Sequence, residues 1–273
     1  MLPRGVVVTG WAALCWRRAR WHTGTRAGGG LEPVDVAATT QCLRDRASVR
    51  VHRERFDVAD VVELDGLRVT SAVAAVVFVM RHAVDLDIAV EALDMTYRAD
   101  LVTPSQVAAW VEQHPGLVGI RQARAALQLA DENAWSPRET RTRLAWERHA
   151  GRRPLANRPV FDLQGRHLGT PDLLDLDGVC GEYDGDHHLD RGQRRVDLER
   201  EQRLLDHGLT PFTIVAGDLA AGRLGGRLDS ARARAARVGP GERRWTIEPP
   251  PWWRPTLTVE QRRGPRTEAR PGR

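Results

Sequence analysis

Gly169-Thr170-Pro171-Asp172, then Asp177-Gly178, then Glu182-Tyr183-Asp184-Gly185 and His187-His188, is the stretch on which the reading of this chain turns. Asp177-Gly178 between two apolar runs reads as a hairpin turn, and loop length decides what the hairpin does. A two-residue loop pairs Asp172 with Tyr183 and turns it away from Glu182. A three-residue loop, Leu176 to Gly178 with the glycine left-handed, sets Asp172 opposite Glu182. Cross-strand neighbours have Cβ atoms about 5 Å apart. Strand alternation puts Asp184 on the face of Glu182, so three carboxylates converge where like charges destabilise a sheet. A hard, oxygen-seeking cation such as Mg²⁺, or Mn²⁺ in its place, offsets that repulsion. The plainer alternative is that Asp172 and Glu182 lie at solvated strand ends.

The flanking segments supply the frame. Ser136-Pro137-Arg138-Glu139 combines an N-cap, a proline at the first helical position and a capping-box glutamate, so a helix is expected from there to about Ala150. Strands follow near Pro159 to Leu163, up to Leu176, and over Val179 to Asp184, as a meander. A polar helix from about Asp190 to His207, closed by Gly208, leads to a strand from Phe212 to Val215. The order is αβββαβ. Before it stand a small β region, with Asp65-Gly66 as a hairpin turn, and helices at about 71 to 82, 85 to 98, from Thr103-Pro104, and 117 to 130. The expected class is α/β in the α+β sense. Expected domains are 1–132 (β and helical), 133–220 (the αβββαβ core) and 221–273 (an arginine-, glycine- and proline-rich extension, partly disordered).

Composition narrows the chemistry. The net charge is +5, with 41 basic and 36 acidic residues, and every basic one is arginine. A catalytic lysine is therefore excluded. Arginine's planar fork suits phosphate, so DNA is the expected partner, while genomic base composition explains the same bias without one. Three cysteines, Cys15, Cys42 and Cys180, lack the spacing of a disulfide framework or a zinc site. No apolar run is long enough to span a bilayer and no signal peptide is legible, so no membrane partner and a cytoplasmic location are expected.

Gly169-Thr170-Pro171-Asp172, Glu182-Tyr183-Asp184-Gly185 with His188, and the run Asp197, Arg200, Leu204, Gly208 together resemble the domain of unknown function 559. That family is related to the very-short-patch-repair endonucleases of the PD-(D/E)XK superfamily, which have a restriction-endonuclease-like core. The resemblance spans about residues 134 to 220 and implies a metal-dependent DNA endonuclease. It makes Asp172, Glu182 and Asp184 metal ligands, with Asp184 where the superfamily has its lysine. His188, or His187, is then left as base, and Glu139 is a further carboxylate from the first helix, although the capping box also explains it. Arg194, Arg195 and Arg200 are candidate DNA contacts, or the wet face of the helix; Asp197 and Arg200 read equally as an ion pair. Val6 to Leu14 and Gly66 to Ser71 resemble the AbiEi-type antitoxin domain. Its usual winged helix-turn-helix is not legible here, so a shortened chain or a variant without it is implied. This second resemblance points to an alternative: an idle nuclease fold acting as a DNA-binding regulator or a toxin–antitoxin component with a protein partner.

Overall fold

A computed structural model describes residues 5–26, 29–38, 43–184, 191–215 and 217–264, with backbone alone at 184 and 191–195. Its class is mixed α+β. The chain divides into two compact units, residues 1–132 with 262–273, and residues 133–261. Among the described residues no helix is long and apolar enough to cross a membrane.

The first unit is built on five strands: β1 (Val6–Val8), β2 (Val34–Ala38), β3 (Val49–His52), β4 (Val61–Leu64) and β5 (Leu67–Thr70). Their order is β3-β2-β1-β5-β4. The all-valine β1 takes the centre because it is buried along its whole length, which suits an unbroken apolar run. The β4–β5 hairpin turns at Asp65-Gly66, both at positive φ, the geometry a two-residue turn of this hand needs. Helices α1 (Gly10–Trp16), α2 (Ala72–His82), α3 (Leu86–Arg98), α4 (Pro104–Gln113) and α5 (Ile120–Leu129) complete the unit. Ser71, Asp85 and Thr103 cap α2, α3 and α4 through their side chains. The last helix begins at Ile120 and not at Leu117. Gly119 intervenes at φ +78°, and a Cβ there would lie 2.3 Å from the carbonyl oxygen of Arg81.

The second unit opens with α6 (Pro137–Ala150) and continues through β6 (Leu155–Ala156), β7 (Val160–Asp162), β8 (His167–Gly169), β9 (Leu173–Leu174) and β10 (Val179–Asp184). Then come α7 (Arg191–Asp206), β11 (Thr210–Val215), α8 (Leu224–Ala235) and β12 (Trp245–Thr246). The expected meander is not one sheet. Strands β7 and β8 pair with β12 in a three-stranded sheet, whereas β9 joins β6 and β10 in a four-stranded one of order β11-β10-β9-β6. The change of sheet falls at Thr170-Pro171, where proline has no N–H for a continuing ladder. Strand β11 lies parallel to β10, and α7 is the connection between them.

Residues 221–261 also depart from the expected extension: they belong to this unit. In α8, Leu224, Leu228, Ala231 and Ala235 are buried with Trp146, Leu173, Phe212 and Ile214 in one apolar layer. A second layer holds Val160, Leu168, Leu174, Cys180, Leu204 and Leu209. The four-stranded sheet separates the two.

Candidate active site

The β9–β10 hairpin takes the three-residue loop. Asp175 and Val179 close it, with the Asp175 N–H donating to the Val179 carbonyl at 2.8 Å, and Gly178 sits at φ +97°. A buried carboxylate fixes this turn: Asp175 accepts from Arg152 at 2.7 Å, from Arg232 of α8 at 2.7 Å and from the Asp177 N–H at 3.0 Å. Leu174 then pairs with Cys180 and Leu173 with Gly181. One step further, the register sets Asp172 level with Glu182.

Alternation along β10 decides which way Glu182 faces. Gly181 lies against α6, where a Cβ would come 2.8 Å from Cζ3 of Trp146, so only glycine leaves room for the indole. Cys180 enters the opposite layer beside Leu204 of α7. Glu182 shares that side and meets Arg200, whose Nη2 donates to its Oε2 at 2.8 Å. Gly169 of β8 packs beside the stem of Arg200, where a Cβ would sit 3.4 Å from its Cγ, an ordinary contact. Burial raises the Cys180 thiol above its ordinary range, so it is no ready nucleophile.

Asp172 is anchored by accepting the Tyr183 N–H at 2.8 Å on Oδ2, and its carbonyl accepts the Asn157 N–H at 2.9 Å. Burial first, then the charge of Glu139, raises its carboxyl to about 6. Glu182 rises to about 7, again chiefly through burial, with Asp172 and Asp197 adding repulsion and Arg200 opposing it. Two neighbouring acids, both raised by burial and the second also by the charge of the first, are costly to keep ionised without a cation. Oε1 of Glu182 and Oδ1 of Asn157 are both buried and without a hydrogen-bond partner, so two acceptor oxygens of this region remain to be satisfied.

Glu139 has structural duties as well. Its Oε2 accepts from the Trp135 N–H at 2.9 Å and from Asn157 Nδ2 at 2.7 Å, and its Oε1 from the Ser136 hydroxyl at 2.9 Å. The reciprocal cap bond thus goes to Trp135, one residue before the N-cap. Asn157, held at φ +44°, links Glu139 to the backbone of Asp172. This link was not legible in the spacing. Of the other expected site residues, the side chains of Asp184, Arg194 and Arg195, and the whole of His187 and His188, lie outside the described residues.

Among the described residues, one trio of metal-ligating side chains has its ligand atoms within 4.8 Å of one another, and it lies in the first unit: Asp57, Asp60 and His114. His114 donates from Nδ1 to the Trp110 carbonyl at 2.7 Å, which turns Nε2 toward Asp57 Oδ2, 3.9 Å away. Asp60 also accepts from Trp110 Nε1 at 3.0 Å and from the Ser71 hydroxyl at 3.1 Å. This group is able to hold a metal ion. Asp57 and Asp60 are three residues apart, but His114 is too distant in the chain for a spacing motif to reveal the group.

No protein-family model, no curated protein and no solved structure matches this chain.

Proposed function

We propose that the second unit is a metal-dependent DNA endonuclease domain with a restriction-endonuclease-like core of the very-short-patch-repair kind. The observation that carries this reading is the register that brings Asp172 level with Glu182, two half-buried acids with raised pKa values and a buried, unsatisfied oxygen on Glu182. The element order α6, short strands, β10, α7 and a parallel β11 supports it too. Asp172 and Glu182, with Asp184, would hold Mg²⁺ or Mn²⁺; a bound cation supplies charge neutralisation at a phosphodiester. Arg200 occupies the cationic role left open by the absent lysine, favouring the ionised form of Glu182 against burial. His188 would take the proton from the attacking water as the P–O bond breaks, and Glu139, through Asn157, positions Asp172. Arg194 and Arg195 would contact the DNA backbone.

A second reading has its own support. Arg200 already neutralises Glu182 without a metal, as an idle nuclease fold serving as a DNA-binding regulator or an AbiEi-like toxin–antitoxin component would require. Calorimetric titration of Mg²⁺ and Mn²⁺ together with nicking of supercoiled plasmid separates the two. The titration is made in a His114→Gln background, so that heat from the Asp57–Asp60–His114 group is not mistaken for this site. Binding and nicking that both vanish in the Asp172→Ala, Glu182→Ala variant support the nuclease. A well-folded parent that neither binds metal nor nicks leaves the regulator.

A further inference from the structure

Helix α8 presents two opposite stripes. Leu224, Leu228, Ala231 and Ala235 recur at helical spacing and are buried. Arg223, just before the helix, and Arg227, Ser230 and Arg234 recur at the same spacing on the exposed side. With Gly222, Gly226 and Phe212 they line an open groove of about 530 Å³, and no lining residue is acidic.

Two of these arginines are held in place from below. Asp218 is fully buried, and its Oδ1 accepts from Nε of Arg223 while its Oδ2 pairs with Nε of Arg227, both at 3.0 Å. The Val215 N–H donates to the same carboxylate at 3.0 Å. Despite burial, which pushes its pKa up, these donors and the two guanidinium charges hold Asp218 below the usual carboxylate range. It is a fixed anion under two cations. Binding each guanidinium by its inner nitrogen orients the planar fork and lowers the entropy lost when a ligand is gripped by the outer ones.

The geometry points to a docking surface for the phosphate backbone of duplex DNA along this groove. Arg223 and Arg227 are one turn apart, about 6 Å along the axis, and Arg234 lies about 16 Å from the first, so the cations follow a line and do not form a point. Gly222 and Gly226 have nothing within 4 Å of a Cβ position, which leaves the floor between the arginines low enough for a backbone to approach. Phe212, the one aromatic residue of the lining, is buried, so the groove has no exposed ring for stacking the bases of a single strand. The choice of DNA rests on the endonuclease reading; the charge and shape argument does not.

The test is fluorescence anisotropy of a labelled 20-base-pair DNA duplex with the full chain in EDTA, where metal chemistry plays no part. Ser230→Glu places a carboxylate in the groove and leaves the Asp218 pairs intact. We expect it to weaken binding about tenfold, and Arg234→Gln to lower affinity a few-fold and flatten the salt dependence by about one ion. Arg124→Gln, which removes an exposed arginine of α5, serves as charge control and leaves binding unchanged. Thermal melting confirms that each variant is folded. Groove variants that bind as tightly as the parent overturn the proposal. So does displacement of the duplex by polyglutamate at equal charge concentration, which assigns the groove to an acidic protein, or a clear preference for duplex RNA. Because no metal is present, failure here and failure of the nicking experiment are independent.

Discussion

Arg200 on α7 donates from Nη2 to Oε2 of Glu182 at 2.8 Å, so an acid at the end of β10 is held by a guanidinium from the helix that follows it. Arg200 lowers the pKa of Glu182 against burial. Arg200→Ala is expected to leave Glu182 protonated at neutral pH and to reduce nicking about tenfold, while Arg200→Lys retains most of it. The loss of the pair costs about 1–2 kcal/mol of stability, between the values for exposed and buried pairs. A pH–rate profile distinguishes this from simple loosening: the acidic limb moves upward in Arg200→Ala and returns in Arg200→Lys. An alanine variant with the parent's profile would remove Arg200 from the site.

Asp172 and Glu182 carry a stability consequence that a purely structural pair would not. Their folded pKa values, about 6 and about 7, lie above the ordinary 3.8 and 4.5. The folded state therefore binds their protons more tightly. Their contribution is fully present below about pH 4 and is lost as pH rises through 6 and 7. In EDTA at pH 8, Asp172→Asn and Glu182→Gln are each expected to raise the unfolding midpoint, since an amide avoids the cost of a half-buried anion. In the first variant the side-chain amide oxygen still accepts the Tyr183 N–H. At pH 4.5 the gain disappears. Substitutions that destabilise equally at both pH values would mark the carboxylates as structural.

How much of this was legible in the sequence depends on how local the cause is. The caps at Ser71, Asp85, Thr103 and Ser136 are local chemistry, and the helices begin where they say. The hairpin register was undecided between two loops. What decides it is Asp175, anchored by Arg152 and by Arg232 far along the chain, and no local pattern reports that. The division of the meander into two sheets is tertiary in the same way, because β12 arrives from a distant segment to pair with β7. Helix α8 did carry a signal, the spacing of Leu224, Leu228, Ala231 and Ala235. It was obscured by Gly225 and Gly226, which lower helix propensity and read as linker. At the site, Asp172, Glu182 and Glu139 were legible as residue types. The Arg200–Glu182 pair and the Asn157 link arise from packing of α7 and of the turn after β6.

Gly181 tests the packing that aims Glu182. A Cβ there meets Trp146 Cζ3 at 2.8 Å and Ile214 Cδ1 at 3.1 Å, both in the buried layer. Gly181→Ala is expected to cost about 1–3 kcal/mol through overpacking, although alanine is otherwise the better residue for an ordered strand. Combining it with Trp146→Phe, which removes the nearest ring atom, should recover part of the loss. A double-mutant cycle by urea unfolding gives the coupling directly. Additive effects would mean that the strain is relieved elsewhere and that Trp146 does not set the position of β10.

His22 gives the first unit its own acid sensitivity. It is 7% exposed, and its Nε2 lies 2.9 Å from Thr96 Oγ1. The threonine hydroxyl already donates to the Ala92 carbonyl at 2.7 Å, so the ring must be the donor in their bond. Burial lowers its pKa to about 4. The unfolded chain takes up a proton near pH 6.5 and the folded one does not until about 4, so stability is present above 6.5 and is lost as pH falls through that window, by about 3 kcal/mol. His22→Gln keeps a donor for Thr96 and has nothing to titrate. Its unfolding free energy should fall less than the parent's between pH 7 and 4.5, even if it starts lower for want of ring packing. Equal slopes for the two proteins would place the acid sensitivity elsewhere.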